Sequence, residues 1–299
     1  MKKLFLTLML LLATISTADA EVYRQGIVSV IYERNGAYPL DSSDRNQNSV
    51  PDSIEDIATQ INAARELFHD VCGFPDPLKS DRYKNTTAIE IDIDLKSNME
   101  NHNGLAYSGK RKSKIDPNKT VLHIRIASTV DAHKNATPAH EYFHLIQYGA
   151  TYFRNKWYLE GMARWSQDSV NAIKKYPTVK NMSRTLTDKV SVAEILNAKY
   201  STARLLWYPL ALDCKDKVKI PSRLMSKYKY VDGAAVFEDD VIYGANVMKA
   251  VLNKMQSKEA QAAVSFGGLK QWRKDGVRSE KNNDIILDCV RAVYSERRS

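Results

Sequence analysis

Residues 137 to 144 read Thr-Pro-Ala-His-Glu-Tyr-Phe-His, so His140 and His144 stand four residues apart with Glu141 between them. On an α-helix, residues at that spacing share a face, and both imidazoles are directed at one point. Paired imidazole nitrogens suit Zn²⁺, which takes nitrogen ligands in tetrahedral geometry. Glu141 adjoins a ligand without being one, and is placed to act as general base toward a water at the metal. A catalytic zinc needs a third protein ligand and an open position. Glu160, 16 residues after His144 in the run Trp157-Tyr158-Leu159-Glu160-Gly161-Met162-Ala163-Arg164-Trp165, fits that role. The interval lets one helix end, a short loop turn, and a second helix pack beside the first through Leu159, Met162 and Ala163. The first helix is expected to take Thr137 as its N-cap and Pro138 in its first turn, and to end at Gly149.

A second group of candidate ligands lies between residues 44 and 55. Counted from Asp44, oxygen-bearing side chains fall at positions 1, 3, 5, 9 and 12, namely Asp44, Asn46, Asn48, Asp52 and Glu55, with the carbonyl of Val50 at position 7. That is the ligand spacing of an EF-hand-type loop, and hard oxygen donors suit Ca²⁺. Ser49 stands at position 6, where such loops carry glycine, and Pro51 follows Val50. With three carboxylates the site is expected to bind weakly and to be structural, which suits extracellular calcium levels. The helix that follows is marked by Ile54, Ile57, Ala58, Ile61, Ala64, Leu67, Phe68 and Val71, and stops at Cys72-Gly73-Phe74-Pro75.

His-Glu-x-x-His with a downstream Glu-Gly-x-Ala resembles the gluzincin zinc metallopeptidases. The resemblance implies that His140, His144 and Glu160 hold zinc and that Glu141 is the catalytic base. The fuller strings His140 to Gly149 and Trp157 to Trp165 look more like a set of secreted bacterial metalloproteases than like thermolysin, and that set often carries a Pro-Asp calcium loop before a helix, as here. Thermolysin-like enzymes have a longer interval and an Asp four residues after the glutamate ligand; Arg164 stands there, and Asp168 is a candidate replacement. Relatives often stabilise the oxyanion with a Tyr, His or Arg from the C-terminal lobe, which makes Tyr200, Tyr208 and Tyr243 candidates. The resemblance spans roughly residues 41 to 165 and fades by about 256. The segment Ser97 to Asn101 superficially matches a Gly-x-Met-x-Asn aminopeptidase motif, but the glycine is absent.

The positioning elements are legible too. Thr87 to Leu95 and Val121 to Ala127 alternate apolar with polar residues and read as half-buried strands, joined by a polar loop or hairpin over 96–120. Two strands before the zinc helix is the order of a zincin N-terminal lobe, whose edge strand pairs with extended peptide. Apolar residues at helical spacing mark 158–172, 191–213, 233–256 and 284–297, and Lys174 to Asp188 reads as a loop. The expectation is an α+β, zincin-like single domain over 21–299. Its parts are a calcium loop at 41–56, an α/β lobe at 57–150 with a small mixed sheet, and a mainly helical lobe at 151–299.

Residues 1–20 have the form of a secretory signal: Lys2 and Lys3, the apolar run Leu4 to Ala13, and a cleavage site after Ala18-Asp19-Ala20. A secreted or periplasmic, monomeric product is expected. The net charge of +9 falls to +8 when Lys2, Lys3 and Asp19 leave. Basic residues are spread along the chain and match no nucleic-acid motif, and no later stretch is apolar enough to span a membrane. In an oxidising compartment one pair among Cys72, Cys214 and Cys289 is expected to bridge; the shared C-terminal half favours Cys214 with Cys289. The expected reaction is hydrolysis of a peptide or protein substrate. The alternative is a catalytically inactive zincin-fold binding or adhesin-like exported protein.

Overall fold

The computed structural model describes residues 20–38, 40–94, 103–170 and 181–298. All but Ala20 of the expected signal segment, and all of Ser97 to Asn101, lie outside the described residues. The fold is mixed α+β, as expected. Its centre is a six-stranded sheet. Strand β1 (Glu21–Gln25) and β2 (Val28–Tyr32) form an antiparallel hairpin that is not among the strands expected from sequence. β3 (Thr86–Asp94) lies parallel to β2, and β6 (Thr120–Ala127) parallel to β3. The expected 96–120 connection contributes β4 (Gly104–Ala106) and the two-residue β5 (Arg111–Lys112), both antiparallel to β6, so β4 forms the sheet edge.

The sheet is two-faced for the reason its alternation implies. Ile89, Ile91 and Ile93 of β3 and Leu122, Ile124 and Ile126 of β6 are buried toward the helices. On the opposite face Glu90, Asp92 and Asp94 form a ladder of carboxylates, matched by Arg111 on Glu90 and Asp92, Lys114 on Asp92, and Arg125 on Asp94.

Two helices cover the apolar face. α1 (Asp52–Glu66) continues as a wider turn over Leu67–Val71 and packs on β1 and β2. α2 (Thr137–Ala150) packs on β4, β6 and α1. Buried Gln60 of α1 locks the start of α2: its amide oxygen accepts from Ala139 N–H at 3.1 Å and its amide nitrogen donates to the Ala132 carbonyl at 2.8 Å. Thr137 is not the cap. The helix begins with it, and Asn135 accepts from both the Thr137 backbone N–H and hydroxyl. Gly149 likewise lies inside α2, which runs on to Ala150.

Beyond α2 the chain is mainly helical, with one short antiparallel ribbon. α3 (Lys156–Ser166) packs on α2 with Leu159, Met162 and Ala163 buried, as their spacing predicts. The expected helix over 191–213 is broken into Lys189–Asn197, Ala203–Trp207 and Tyr208–Asp213. That over 233–256 begins only at Ala245: Gly244 takes a left-handed φ of 89°, and Val241–Tyr243 before it pairs with Lys217–Lys219. The last helix, Asn283–Arg298, follows the expectation.

The cysteine expectation is overturned: Cys72, Cys214 and Cys289 are all free thiols. Cys214 lines a surface pocket with Arg297 and Arg298. Cys289 lies eight residues before Arg297 on the same helix, about 12 Å back along the axis at 1.5 Å per residue. A disulfide needs Cα atoms within about 7 Å.

Candidate metal centre

The first turns of α2 and the second turn of α3 bring three donors together. Glu160 Oε2 lies 3.5 Å from His140 Nε2 and 3.6 Å from His144 Nε2, and the three ligand atoms fall within 4.8 Å of one another. Donors about 2.0–2.2 Å from a tetrahedral ion stand about 3.4 Å apart. The group is therefore nearly at coordination spacing, and it is able to hold a metal ion. Among the described residues it is the only such group of histidine, cysteine and carboxylate side chains.

His144 is oriented by a neighbour. His144 Nδ1 is 2.8 Å from Gln147 Oε1, one turn along α2, and Gln147 Nε2 donates to the Leu159 carbonyl at 3.2 Å. An amide oxygen can only accept, so Nδ1 carries the proton and Nε2 presents its lone pair toward Glu160. One fully buried glutamine thus fixes the tautomer of a ligand and ties α2 to α3 beside the third donor. The Tyr148 ring stacks on His144 at 5.7 Å and 11°. His140 Nδ1 is buried without a hydrogen-bond partner among the described residues. Burial alone raises the pKa of the Glu160 carboxyl, but the two imidazoles outweigh it and hold that carboxyl well below the usual range. Burial also disfavours a charged His144, and Glu160 and Glu141 reverse the effect and raise its pKa.

Glu141, next to His140 on α2, lies against β4, which closes over it. Its Oε2 accepts from the Ala106 N–H at 2.7 Å. Oε1 has no hydrogen-bond partner among the described residues, and the side chain lines the cleft. One carboxylate oxygen is anchored to the sheet edge and the other is free for a proton. The approach depends on Gly104: a Cβ there would lie 2.6 Å from both Glu141 Cγ and Thr137 Cγ2.

The cleft has a volume of about 770 Å³ and runs from β4 past His140 and Glu141 to the segment after residue 199. Gly161 lets that segment close on α3, since a Cβ would meet Thr202 Cβ at 2.6 Å and Trp207 Nε1 at 2.8 Å. Of the three tyrosines proposed from sequence, Tyr200 stands nearest the ligands. Its ring centroid is 6.0 Å from that of His140, and its hydroxyl lies near Glu160 and Glu141. Burial, then the charges of Glu160 and Glu141, push its pKa up to about 12, so it remains a neutral donor. Tyr208 lines the cleft wall, with its hydroxyl 3.4 Å from the Arg164 carbonyl. Tyr243 is not in the cleft lining; it sits on the two-stranded ribbon, where its carbonyl accepts from Trp165 Nε1. Asp168 lines the cleft, while the orienting partner expected of it comes from Gln147 instead.

The loop before α1 folds on itself. Glu55 accepts from the side-chain amides of Asn46 and Asn48, at 2.9 and 3.0 Å, and Asp44 accepts from the Asn48 and Ser49 N–H groups. Ser49 adopts the left-handed φ of 70° that normally calls for glycine at this position. Asp44, Asn46, Asn48 and Glu55 are therefore brought together. Asp52 turns toward Arg45, accepting its N–H at 2.9 Å with the guanidinium Nε 3.5 Å away.

No family model, curated protein or solved structure matches this chain. The functional reading therefore rests on the residues and their geometry. Sequence reasoning missed Gln147, Gly104 and Ala106. Gln147 was legible as a polar residue three positions after His144. The two β4 residues carried no local signal, because only the sheet pairing brings them to Glu141. Among the described residues no helix is long and apolar enough to cross a membrane.

Proposed function

We propose that the chain is an exported, gluzincin-type zinc peptidase with a zincin-like fold. The observation that carries this reading is the convergence of His140, His144 and Glu160 on one point, with Glu141 anchored beside them at the edge of an open cleft. Two imidazoles and one carboxylate are a catalytic zinc donor set, which leaves a position open. When bound, Zn²⁺ supplies a Lewis acid that acidifies water and polarises a carbonyl. Glu141 accepts the proton at its free oxygen and later passes it to the departing amine. β4 borders the cleft at Gly104 and would offer its backbone there to an extended peptide, laying the scissile bond across Glu141, while the Ala106 N–H stays on Glu141. Tyr200 supplies a neutral hydroxyl to the oxyanion. Tyr208 is the more distant candidate.

We further propose that Asp44, Asn46, Asn48, Glu55 and the Val50 carbonyl hold a structural Ca²⁺ ahead of α1, with Asp52 joining after it releases Arg45. The left-handed Ser49 supports this reading, because it supplies the turn that this spacing of ligands requires.

The test of the peptidase reading is Glu141→Gln. The zinc-loaded variant should retain its metal and lose hydrolysis of a random peptide pool by about 10²–10⁴-fold. Equal cleavage by variant and wild type would refute the assigned base. Absence of cleavage by zinc-loaded wild type would favour a binding protein.

A further inference from the structure

The cleft carries two cations that the proposed hydrolysis does not use. Arg164 stands four residues after Glu160 on α3, and Arg204 four residues after Tyr200. On α3 that spacing puts Arg164 on the same helical face as Glu160, while Arg204 sits on the wider turn Ala203–Trp207 that follows Tyr200. Both residues are exposed, and both line the cleft with His140 and Glu141. Among the described residues neither forms an ion pair, although the chain pairs many of its other cations. Lys134, at the other end of the cleft, is already paired with Asp131 at 2.8 Å. The one further carboxylate of the lining, Asp168, is buried and has partners of its own. Asp168, both arginines and Tyr208 all line this one cleft.

Two unpaired guanidiniums in one concave wall are an anion site. Their planar forks match a carboxylate, which they can grip by two parallel hydrogen bonds. Resting on the peptidase reading, we propose that Arg164 and Arg204 form a carboxylate-binding subsite, so that the substrates are peptides with an acidic group at a fixed distance from the cut. An Asp or Glu side chain and a free C-terminus share this chemistry. Gly161 belongs to the device, because it lets the segment bearing Arg204 close against α3.

The experiment uses two random decapeptide pools, one amidated and one with free C-termini. Each is digested by the zinc-loaded wild-type chain, and each is passed separately over the immobilised Glu141→Gln chain. Cut sites and retained peptides are read by mass spectrometry. The expected result is enrichment of Asp and Glu over Asn and Gln at one position by about ten- to a hundredfold, the scale of a charge-assisted hydrogen bond. Enrichment in the amidated pool identifies a side chain; enrichment confined to cuts at a fixed distance from free C-termini identifies the terminal carboxylate. The double variant Arg164→Glu, Arg204→Glu should reverse the preference toward Lys and Arg, in both cleavage and retention. Cleavage without acidic enrichment overturns the subsite and leaves the peptidase reading standing. Enrichment that persists in the double variant overturns the assignment to these arginines. If no peptide is cut and none retained, both readings fall together.

Discussion

Gly104 and Glu141 meet so closely that no side chain fits between them: a Cβ on Gly104 would lie 2.6 Å from Glu141 Cγ and 2.8 Å from its Oε1. The contact joins the sheet edge to the proposed base, and the neighbouring Ala106 N–H completes it. The position of Glu141 is thus set by a strand more than thirty residues away in sequence, not by α2 alone.

Gly104→Ala follows directly from this contact. The added methyl must displace either β4 or the Glu141 carboxylate, and a displacement of about 1 Å costs about a hundredfold in rate. We expect kcat/KM on peptides to fall by about that factor while zinc content is unchanged, since no ligand is touched. Full activity in a zinc-loaded Gly104→Ala protein would show that the position of Glu141 does not matter to the chemistry.

Gln147→Leu removes the group that fixes the His144 tautomer while keeping the side chain's bulk. Loss of such an orienting partner weakens metal binding by about 10–100-fold. Competition with a chromophoric chelator measures it, and Gln147→Glu, which can still accept from Nδ1, should restore most of the affinity. Unchanged affinity in Gln147→Leu would remove this glutamine from the account.

Calcium should stabilise the chain through the loop before α1. At ten times its dissociation constant a ligand adds about 1.4 kcal/mol, or about 2–4 °C in Tm for a domain of this size class. The rise should be seen with millimolar calcium chloride in the wild type and be missing in Asp44→Ala. A rise of equal size in both proteins would place the ion elsewhere.

The charged face of the sheet predicts an acid-labile contribution. Burial raises the pKa of Asp92, but Arg111 and Lys114 outweigh it and hold the pKa below its ordinary value. A carboxylate whose folded pKa is depressed adds stability above its unfolded pKa, about 3.9, and loses it as pH falls through the folded value. Asp92→Asn should therefore lower Tm at neutral pH, and the gap should close once the pH has fallen below the depressed folded pKa. A gap that persists there would mean that packing, not charge, sets the effect.

The sequence announced what is local. His140, His144 and Glu141 are fixed by helical spacing, and α1 and the strands β3 and β6 by their periodicity. Glu160 could be chosen because a two-helix turn brings it back within reach, and Leu159, Met162 and Ala163 bury as their pattern implies. What was not legible depends on pairing across long separations. β1 and β2 are short, and β4 is a three-residue edge whose role appears only once it pairs with Arg125 and its neighbours on β6. The cysteine expectation failed because two thiols in one half of a sequence need not be near in space. Cys214 sits by the end of the last helix and Cys289 two turns earlier. The helix over 233–256 was overextended because Val241–Tyr243 is apolar in either conformation, and only Gly244 separates the ribbon from the helix.

The central claim, a zinc centre made by His140, His144 and Glu160, is tested most directly by metal content. The purified full chain, its His144→Ala variant and its Glu141→Gln variant are each equilibrated with zinc, desalted and measured by mass spectrometry. The account predicts about one zinc per chain in the wild type and in Glu141→Gln, and none in His144→Ala. No zinc in the wild type, or equal zinc in His144→Ala, would contradict it.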